Sequence, residues 1–136
     1  MVQLADDDGI ALDFIGPARA HFVGLSIGGM LGQAFAIKHA DRLQSAMLCD
    51  TSAQTPPGAA AAWQPRIDAV RKAKSLSPLA DGTMERWFTP EYKPRNPARW
   101  EQIHSTIAGT TPQGYLGRAA AIMNFDFVPH LPGVKT

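Results

Sequence analysis

The feature that most constrains the fold is Ser26, which lies at the junction of two segments of different character. Ala20–Leu25, directly before it, is an apolar run too short for a helix, so we predict a buried strand there. Ile27–His39 is helical in composition despite three glycines in its first half, and Leu43–Cys49 is a second short apolar run. The order strand, helix, strand predicts a βαβ unit with parallel strands and a right-handed crossover, and therefore an α/β fold.

The residues around the serine match the pattern Gly-x-Ser-x-Gly over Gly24–Gly28. In a nucleophile elbow the serine occupies a strained turn from strand to helix, so nearby side chains would clash and glycines flank it. The turn projects the Ser26 hydroxyl above the strand ends, and the backbone N–H of Ile27 at the helix N-terminus can stabilise an oxyanion. We therefore predict Ser26 as the nucleophile and Ile27 as an oxyanion donor. A tight turn without chemistry is the alternative.

The character of the chain changes near residue 53. Before it, residues 3–15 predict a further helix, with Phe14 on its apolar side and Asp6–Asp8 on its solvated side. After it, Thr55–Gly58 is a turn signal, and the rest is helical with breaks, including one at Asp81-Gly82. Two further helices are predicted to begin at the pairs Asn96-Pro97 and Thr111-Pro112. We expect residues 1–53 to form an α/β core and residues 54–136 a helical lid.

Several segments carry a resemblance to a known family. The elbow sequence His21–Met30 resembles that of α/β-hydrolases, and other segments make the chain similar to 3-oxoadipate enol-lactonases, which open an enol-lactone ring in aromatic-acid breakdown: Leu48–Thr51, Glu85–Pro90, Gly114-Tyr115, Ala121-Ile122 and Phe125-Asp126. The similarity runs from about Leu4 to Leu131. It implies a partial α/β-hydrolase fold, a βαβ unit with the nucleophile elbow followed by an α-helical lid. It also implies that Trp87 and Phe88 wall an acyl pocket. Packing inside the lid is the alternative for this pair.

The resemblance further implies that parts of the catalytic machinery lie outside this sequence. Members of the family carry an oxyanion loop before the elbow and bring the catalytic acid and histidine on later strands. Because a serine hydroxyl is a weak nucleophile until a base accepts its proton, we expect this chain alone to be an incomplete hydrolase. An internal triad would need Asp50 with His104 or His130. The alternative is that Asp50 closes an Asx turn and both histidines are surface or lid groups.

Composition excludes several other classes. With a net charge of +1 and a 136-residue chain, the sequence gives no electrostatic footprint for nucleic acid or for a membrane surface. The acidic N-terminus is unlike a signal peptide, so a cytoplasmic location is expected. No histidine or cysteine cluster has metal-ligand spacing, and no phosphate-loop motif is complete, so we expect neither a metal nor a cofactor.

The basic stretch Arg66–Lys74 is typical of a solvated helix face, although it or Arg86 could also supply a cation for an anionic substrate.

These inferences predict a serine hydrolase acting on a small-molecule carboxylic ester or enol-lactone. A general carboxylesterase or a cofactor-free haloperoxidase of the same fold is one alternative. A non-catalytic remnant or assembly subunit, in which the elbow survives as structure, is another. Two strands leave unpaired edges and apolar surface, so we also expect self-association or complementation by missing segments.

Overall fold

The computed structural model describes residues 1–135. These residues form two compact units, the first made of residues 1–57 with 121–135 and the second of residues 58–120. The first unit holds one helix, a strand, a second helix, a short 3-10 turn and a second strand, in that order: α1 (Val2–Ile15), β1 (Ala20–Leu25), α2 (Ile27–Lys38), the turn Ala40–Arg42 and β2 (Leu43–Cys49). The remaining elements are α3 (Ala59–Ala73), α4 (Ser77–Trp87), α5 (Tyr92–Arg95), α6 (Pro97–Ala108), α7 (Pro112–Ile122) and the 3-10 turn Leu131–Gly133.

The βαβ unit predicted from the sequence is present. Strands β1 and β2 pair in parallel, with Val23 opposite Met47 and Leu25 opposite Cys49. Because side chains alternate between the faces of a sheet, these four residues lie on one face, which we call the outer face.

Helix α2 covers the opposite, inner face. A Cβ atom added at Gly32 would lie 2.5 Å from Leu48 Cδ2 and 2.8 Å from Phe22 Cε1. These are side chains from both strands, so the helix needs glycine to approach the sheet this closely. Close packing against both strands therefore accounts for glycine at this position of the helix.

Helix α1 packs on α2 through a face that the sequence pattern did not indicate. Its buried residues are Ala5 and Gly9, and Ala5 joins a core cluster with Phe35 and Leu43. The predicted apolar side was wrong, since Phe14 is 92% exposed. Because the buried positions of α1 hold small residues, α1 can approach α2 closely on that side. The side of α1 that carries Ala5 and Gly9 is therefore the covered one.

The outer face of the sheet is open in the described part of the chain. Val23 is 72% exposed and Met47 is 62% exposed, and Leu25 is also exposed. The apolar character of β1 predicts cover on both faces, but only the inner face is covered by the described residues.

The second unit is helical, and its core lies between α3 and α4, where Ile67, Val70, Ala80 and Met84 are buried. The break predicted at Asp81-Gly82 is absent, because α4 begins at Ser77 and passes through both residues. Burial of apolar residues on both sides of that pair outweighs the local turn preference.

Two helix starts in this unit agree with the sequence prediction. Helices α6 and α7 begin at Pro97 and Pro112, directly after Asn96 and Thr111. Thr111 Oγ1 accepts a hydrogen bond of 3.2 Å from the Gly114 N–H, which is the capping contact that such a residue makes.

The last described segment returns to the first unit. The Phe127 N–H donates to the Ala53 carbonyl at 2.7 Å, and the Thr55 N–H donates to the Phe125 carbonyl at 2.9 Å. The range 54–136, predicted as one lid, thus contains the helical second unit followed by a segment that packs with residues 1–57.

Candidate active site

Ser26 occupies the strained turn between β1 and α2. Its backbone has φ 55° and ψ −115°, a conformation that residues other than glycine rarely adopt. Such a conformation costs on the order of 1–3 kcal/mol of stability. Its N–H donates to the Cys49 carbonyl at 2.9 Å, and its carbonyl accepts the Met30 N–H at 3.1 Å. Thr51 Oγ1 donates to the same carbonyl at 2.8 Å. The strained conformation is therefore held by the neighbouring strand and helix, and it leaves the serine exposed.

The glycines around the serine differ in what they permit. A Cβ atom at Gly24 would lie 2.2 Å from the Gly28 carbonyl oxygen, so a side chain there would force the backbone apart. At Gly29 a Cβ atom would lie 2.6 Å from Thr51 Cβ. At Gly28 it would meet nothing within 4 Å. The steric reason given by the motif thus holds for Gly24 but not for Gly28.

The candidate oxyanion donor is the backbone of Ile27. Ile27 is the first residue of α2, where N–H groups have no acceptor within the helix. The positive end of the helix dipole lies at the same place and favours a developing negative charge. An oxyanion formed at Ser26 would therefore find a donor at the adjacent residue. The oxyanion role of Ile27 stays a prediction.

Asp50 lies near the elbow but makes no Asx bond in the described part of the chain. It directly follows β2, and Leu25 pairs with Cys49, so Asp50 and Ser26 stand at the same edge of the sheet. Its φ of 44° is left-handed, a conformation that aspartate tolerates better than most residues. An Asx bond is found instead at Asp126, whose Oδ1 accepts the Val128 N–H at 3.0 Å.

The histidines of the first unit lie away from Ser26. His21 precedes Ser26 by five residues on β1, or about 16 Å along a strand, and its Nδ1 lies 2.8 Å from Ser45 Oγ. His39 follows α2, and its Nε2 lies 3.2 Å from Asp6 Oδ1. Because α2 has 12 residues, about 18 Å of helix separates His39 from the elbow.

His130, one of the two histidines considered for an internal triad, is at that same distant end. It lines a cleft of about 340 Å³ together with Ile37 and Lys38, the last two residues of α2. The structure therefore does not bring His130 to Ser26, and the first unit supplies no imidazole at the elbow.

The other candidate histidine, His104, lies on α6 in the second unit. Its Nε2 is 3.1 Å from Asp81 Oδ1 on α4, and the ring is half-buried. The contact joins two helices that pack on each other. A triad role for His104 stays a prediction.

The aromatic pair predicted to wall a pocket has two different environments. Phe88 stacks on Tyr92 with ring centroids 4.4 Å apart and contacts Trp100 at 5.9 Å. Trp87 is 62% exposed. Phe88 is half-buried among these rings, whereas Trp87 presents an uncovered aromatic surface. A substrate-binding role for either residue stays a prediction.

Comparison with known proteins identifies the fold. No protein-family model matches the chain. It is 33% identical over 133 residues to 3-oxoadipate enol-lactonase 2 of Acinetobacter baylyi, covering 98% of this chain and 49% of that protein. The crystal structure of the enol-lactonase from Burkholderia xenovorans LB400 superposes with a TM-score of 0.89 at 36% identity, over 98% of this chain and 50% of that one. The chain has a partial α/β-hydrolase fold.

A more distant structure supports the same fold. MGS-M2, an α/β-hydrolase from a deep-sea metagenome library, superposes with a TM-score of 0.75 at 19% identity. The chain spans about half the length of the curated relatives and solved structures that it matches. The resemblance to 3-oxoadipate enol-lactonases and the partial α/β-hydrolase fold, both predicted from sequence segments, are thus confirmed.

The structure adds one residue to the elbow that the motif did not indicate. Thr51 contacts both the Ser26 carbonyl and the position of Gly29, yet it lies 25 residues from Ser26. The available signal was its place directly after β2, because the carboxyl ends of neighbouring parallel strands meet at one edge.

Two features are absent from residues 1–135. No three histidine, cysteine, aspartate or glutamate side chains come together there as a group of metal ligands. No helix in this part of the chain combines the length and the apolar character needed to cross a membrane.

Proposed function

We propose that this chain carries the nucleophile of a serine hydrolase that acts on a carboxylic ester or enol-lactone. The observation that carries the proposal is the backbone of Ser26, which is held in a strained, exposed turn at a helix N-terminus. The chemistry is acyl transfer to the Ser26 hydroxyl, with the Ile27 N–H stabilising the oxyanion, followed by attack of water on the acyl-enzyme.

The substrate class is inferred from relatives. Two curated relatives are 3-oxoadipate enol-lactonases of Acinetobacter baylyi, at 33% and 30% identity. A small ester or lactone is therefore the expected substrate. No metal or cofactor takes part in the proposed mechanism.

A general esterase is the second candidate. The structure of a thermophilic esterase from Thermogutta terrifontis superposes with a TM-score of 0.88 at 27% identity. Esters and lactones share the acyl carbon that a serine attacks, so the same elbow serves both substrates. Comparing hydrolysis of 3-oxoadipate enol-lactone with that of p-nitrophenyl acetate separates the two candidates.

We also propose that the described first unit is catalytically incomplete. No histidine of that unit lies at Ser26, and loss of the triad partners costs about 10⁴ to 10⁶ in rate. The base must then come from outside this unit.

A fluorophosphonate probe tests the nucleophile directly. We expect a slow adduct on Ser26, located by mass spectrometry of peptides, and no adduct at this peptide in Ser26→Ala. Ser45→Ala is the matched control, because this serine lies on β2 and its loss should leave labelling unchanged. Absence of any Ser26 adduct after prolonged incubation at pH of about 9 would overturn the proposal and favour a non-catalytic remnant.

The outer face supports a proposal about partners. We propose that further polypeptide, either a second copy of this chain or the segments that make its relatives twice as long, packs on Val23, Leu25 and Met47. Exposed apolar surface on a two-stranded sheet with unpaired edges favours such association. Sizing chromatography should show self-association, or calorimetry should show a melt of poor cooperativity. Met47→Lys should reduce the self-association, whereas Gln44→Lys should not. A monodisperse monomer with a cooperative melt would contradict it.

A further inference from the structure

Two helices of the second unit bring arginine side chains and aromatic rings together. Tyr115 and Arg118 lie three residues apart on α7, so they share a helix face. Trp63 and Arg66 have the same spacing on α3, and the Arg66 guanidinium lies 5.3 Å from the centre of the Trp63 ring. The Trp63 and Tyr115 rings are 6.1 Å apart, which joins the two helices. We call Trp63, Arg66, Tyr115 and Arg118, together with Arg86 of α4, whose positive charge acts on the Tyr115 hydroxyl, the arginine–tyrosine cluster.

The arginines of this cluster form no ion pair among the described residues. Burial raises the pKa of the Tyr115 hydroxyl, and the positive charges of Arg66, Arg86 and Arg118 oppose that rise. Within residues 1–135 none of the three arginines forms an ion pair with a carboxylate.

The hydrogen bonds that these arginines do make leave most of their donors unused. Arg86 donates to Thr83 Oγ1 at 3.2 Å, and Arg118 donates to the Gly114 carbonyl at 3.4 Å. Each contact is local to its own helix and uses one of the five N–H donors that a guanidinium has. The Tyr115 hydroxyl has no protein partner in the described part of the chain.

We propose that the arginine–tyrosine cluster binds a small organic carboxylate with an apolar body. A carboxylate accepts two parallel N–H bonds from one guanidinium, and the Tyr115 hydroxyl can donate a further bond. The Trp63 and Tyr115 rings offer an apolar wall for the rest of such a ligand. The anion would give these arginines the ion-pair partner that they lack among the described residues.

A carboxylate is favoured over a nucleic acid or a free phosphate by the surroundings. The net charge of the whole chain is only +1, so no extended basic surface is available to follow a phosphate backbone. Two aromatic rings beside the guanidinium groups match an apolar ligand body, which inorganic phosphate lacks. The inference does not rest on Ser26, because the cluster belongs entirely to the second unit.

Titration calorimetry on the full chain with benzoate tests the proposal, with benzamide as the neutral ligand of the same shape. We expect benzoate to bind with a Kd below about 10 mM, and benzamide to bind at least about tenfold more weakly. Inorganic phosphate should also bind at least about tenfold more weakly than benzoate. Arg66→Gln and Arg118→Gln should each raise the benzoate Kd about tenfold.

The matched control is Arg71→Gln, which removes an exposed arginine from the same helix as Arg66 and should leave the benzoate Kd unchanged. Circular dichroism melts establish that each variant is folded before titration. Where an arginine variant does not fold, Tyr115→Phe removes only the hydroxyl and should raise the Kd severalfold. Absence of benzoate binding, equal binding of benzamide or phosphate, or an unchanged Kd in both folded arginine variants would overturn the proposal.

Discussion

The two ends of α2 are built by different means. At its N-terminal end, Ser26 is fixed by backbone hydrogen bonds, by Thr51 and by the absence of a side chain at Gly24. At its C-terminal end, Lys38 and His39 both contact one carboxylate, Asp6 of α1. The nucleophile is thus placed by steric fit of the main chain, whereas the charged groups of the unit hold helices together at the opposite end. Positioning a nucleophile and activating it are separate tasks. The first unit positions Ser26 but does not supply the base that would activate it.

The largest effect is expected at Gly24. Gly24→Ala places a methyl group 2.2 Å from the Gly28 carbonyl oxygen, and backbone cannot move aside as a flexible side chain can. We expect a loss of about 3 kcal/mol in the free energy of unfolding, measured by urea denaturation, and loss of probe reactivity at Ser26. Gly28→Ala is the control, since open space at that position predicts a change within about 1 kcal/mol. Equal destabilisation by both variants would contradict the steric account of the elbow.

A smaller effect is expected at Thr51. Thr51→Val keeps the shape but removes the hydrogen bond to the Ser26 carbonyl, so unfolding should become easier by about 1 kcal/mol. Thr51→Ser keeps the hydroxyl and should retain both stability and the rate of Ser26 labelling. If Thr51→Val reacts with the probe as fast as the unaltered chain, Thr51 does not hold the elbow.

At the other end of α2, Asp6 should give a pH-dependent effect. Hydrogen bonds from Lys38, and then from His39, lower the pKa of the Asp6 carboxyl. A lowered carboxyl pKa contributes stability that is fully present above the unfolded value of about 3.9 and is lost as the pH falls from there through the lower folded value. Asp6→Asn should therefore lower the melting temperature at pH 7 but not at pH 2.

The control for this ion-pair prediction is Asp7→Asn. It changes the charge of the chain equally without removing an ion pair of the described residues. Matching pH profiles for the two variants would show that the contacts of Asp6 add nothing to stability.

Asp8 should show the smallest effect, with the opposite sign. Burial, and secondarily the charge of Asp7, raises the pKa of the Asp8 carboxyl, and its Oδ2 has no hydrogen-bond partner in the described part of the chain. A raised carboxyl pKa costs stability once the pH exceeds it. Asp8→Asn should therefore raise the melting temperature at pH 7 and have little effect near pH 3. A lower melting temperature at pH 7 would contradict this assignment.

The elbow end of α2 could be predicted from the sequence, and the charged end could not. Both strands and the serine turn follow from local patterns: short apolar runs and a glycine before the serine. The contact between Asp6 and Lys38 joins residues 32 positions apart, and the sequence pattern indicated a solvated side for Asp6. The arginine–tyrosine cluster draws on three helices, so its members are adjacent only after packing. Likewise, α4 continues through Asp81-Gly82 because Ala80 and Met84 on either side of this pair are buried in the folded unit.

The most direct test of the account is the pH dependence of the fluorophosphonate reaction at Ser26, with Ser26→Ala as the blank. Because no imidazole of the first unit faces the hydroxyl, we predict that the logarithm of the rate rises steadily with a slope of about one between about pH 6 and pH 9. A sigmoidal profile with a midpoint at about pH 6.5, abolished by His130→Asn, would show that the first unit already supplies the base and would contradict the account.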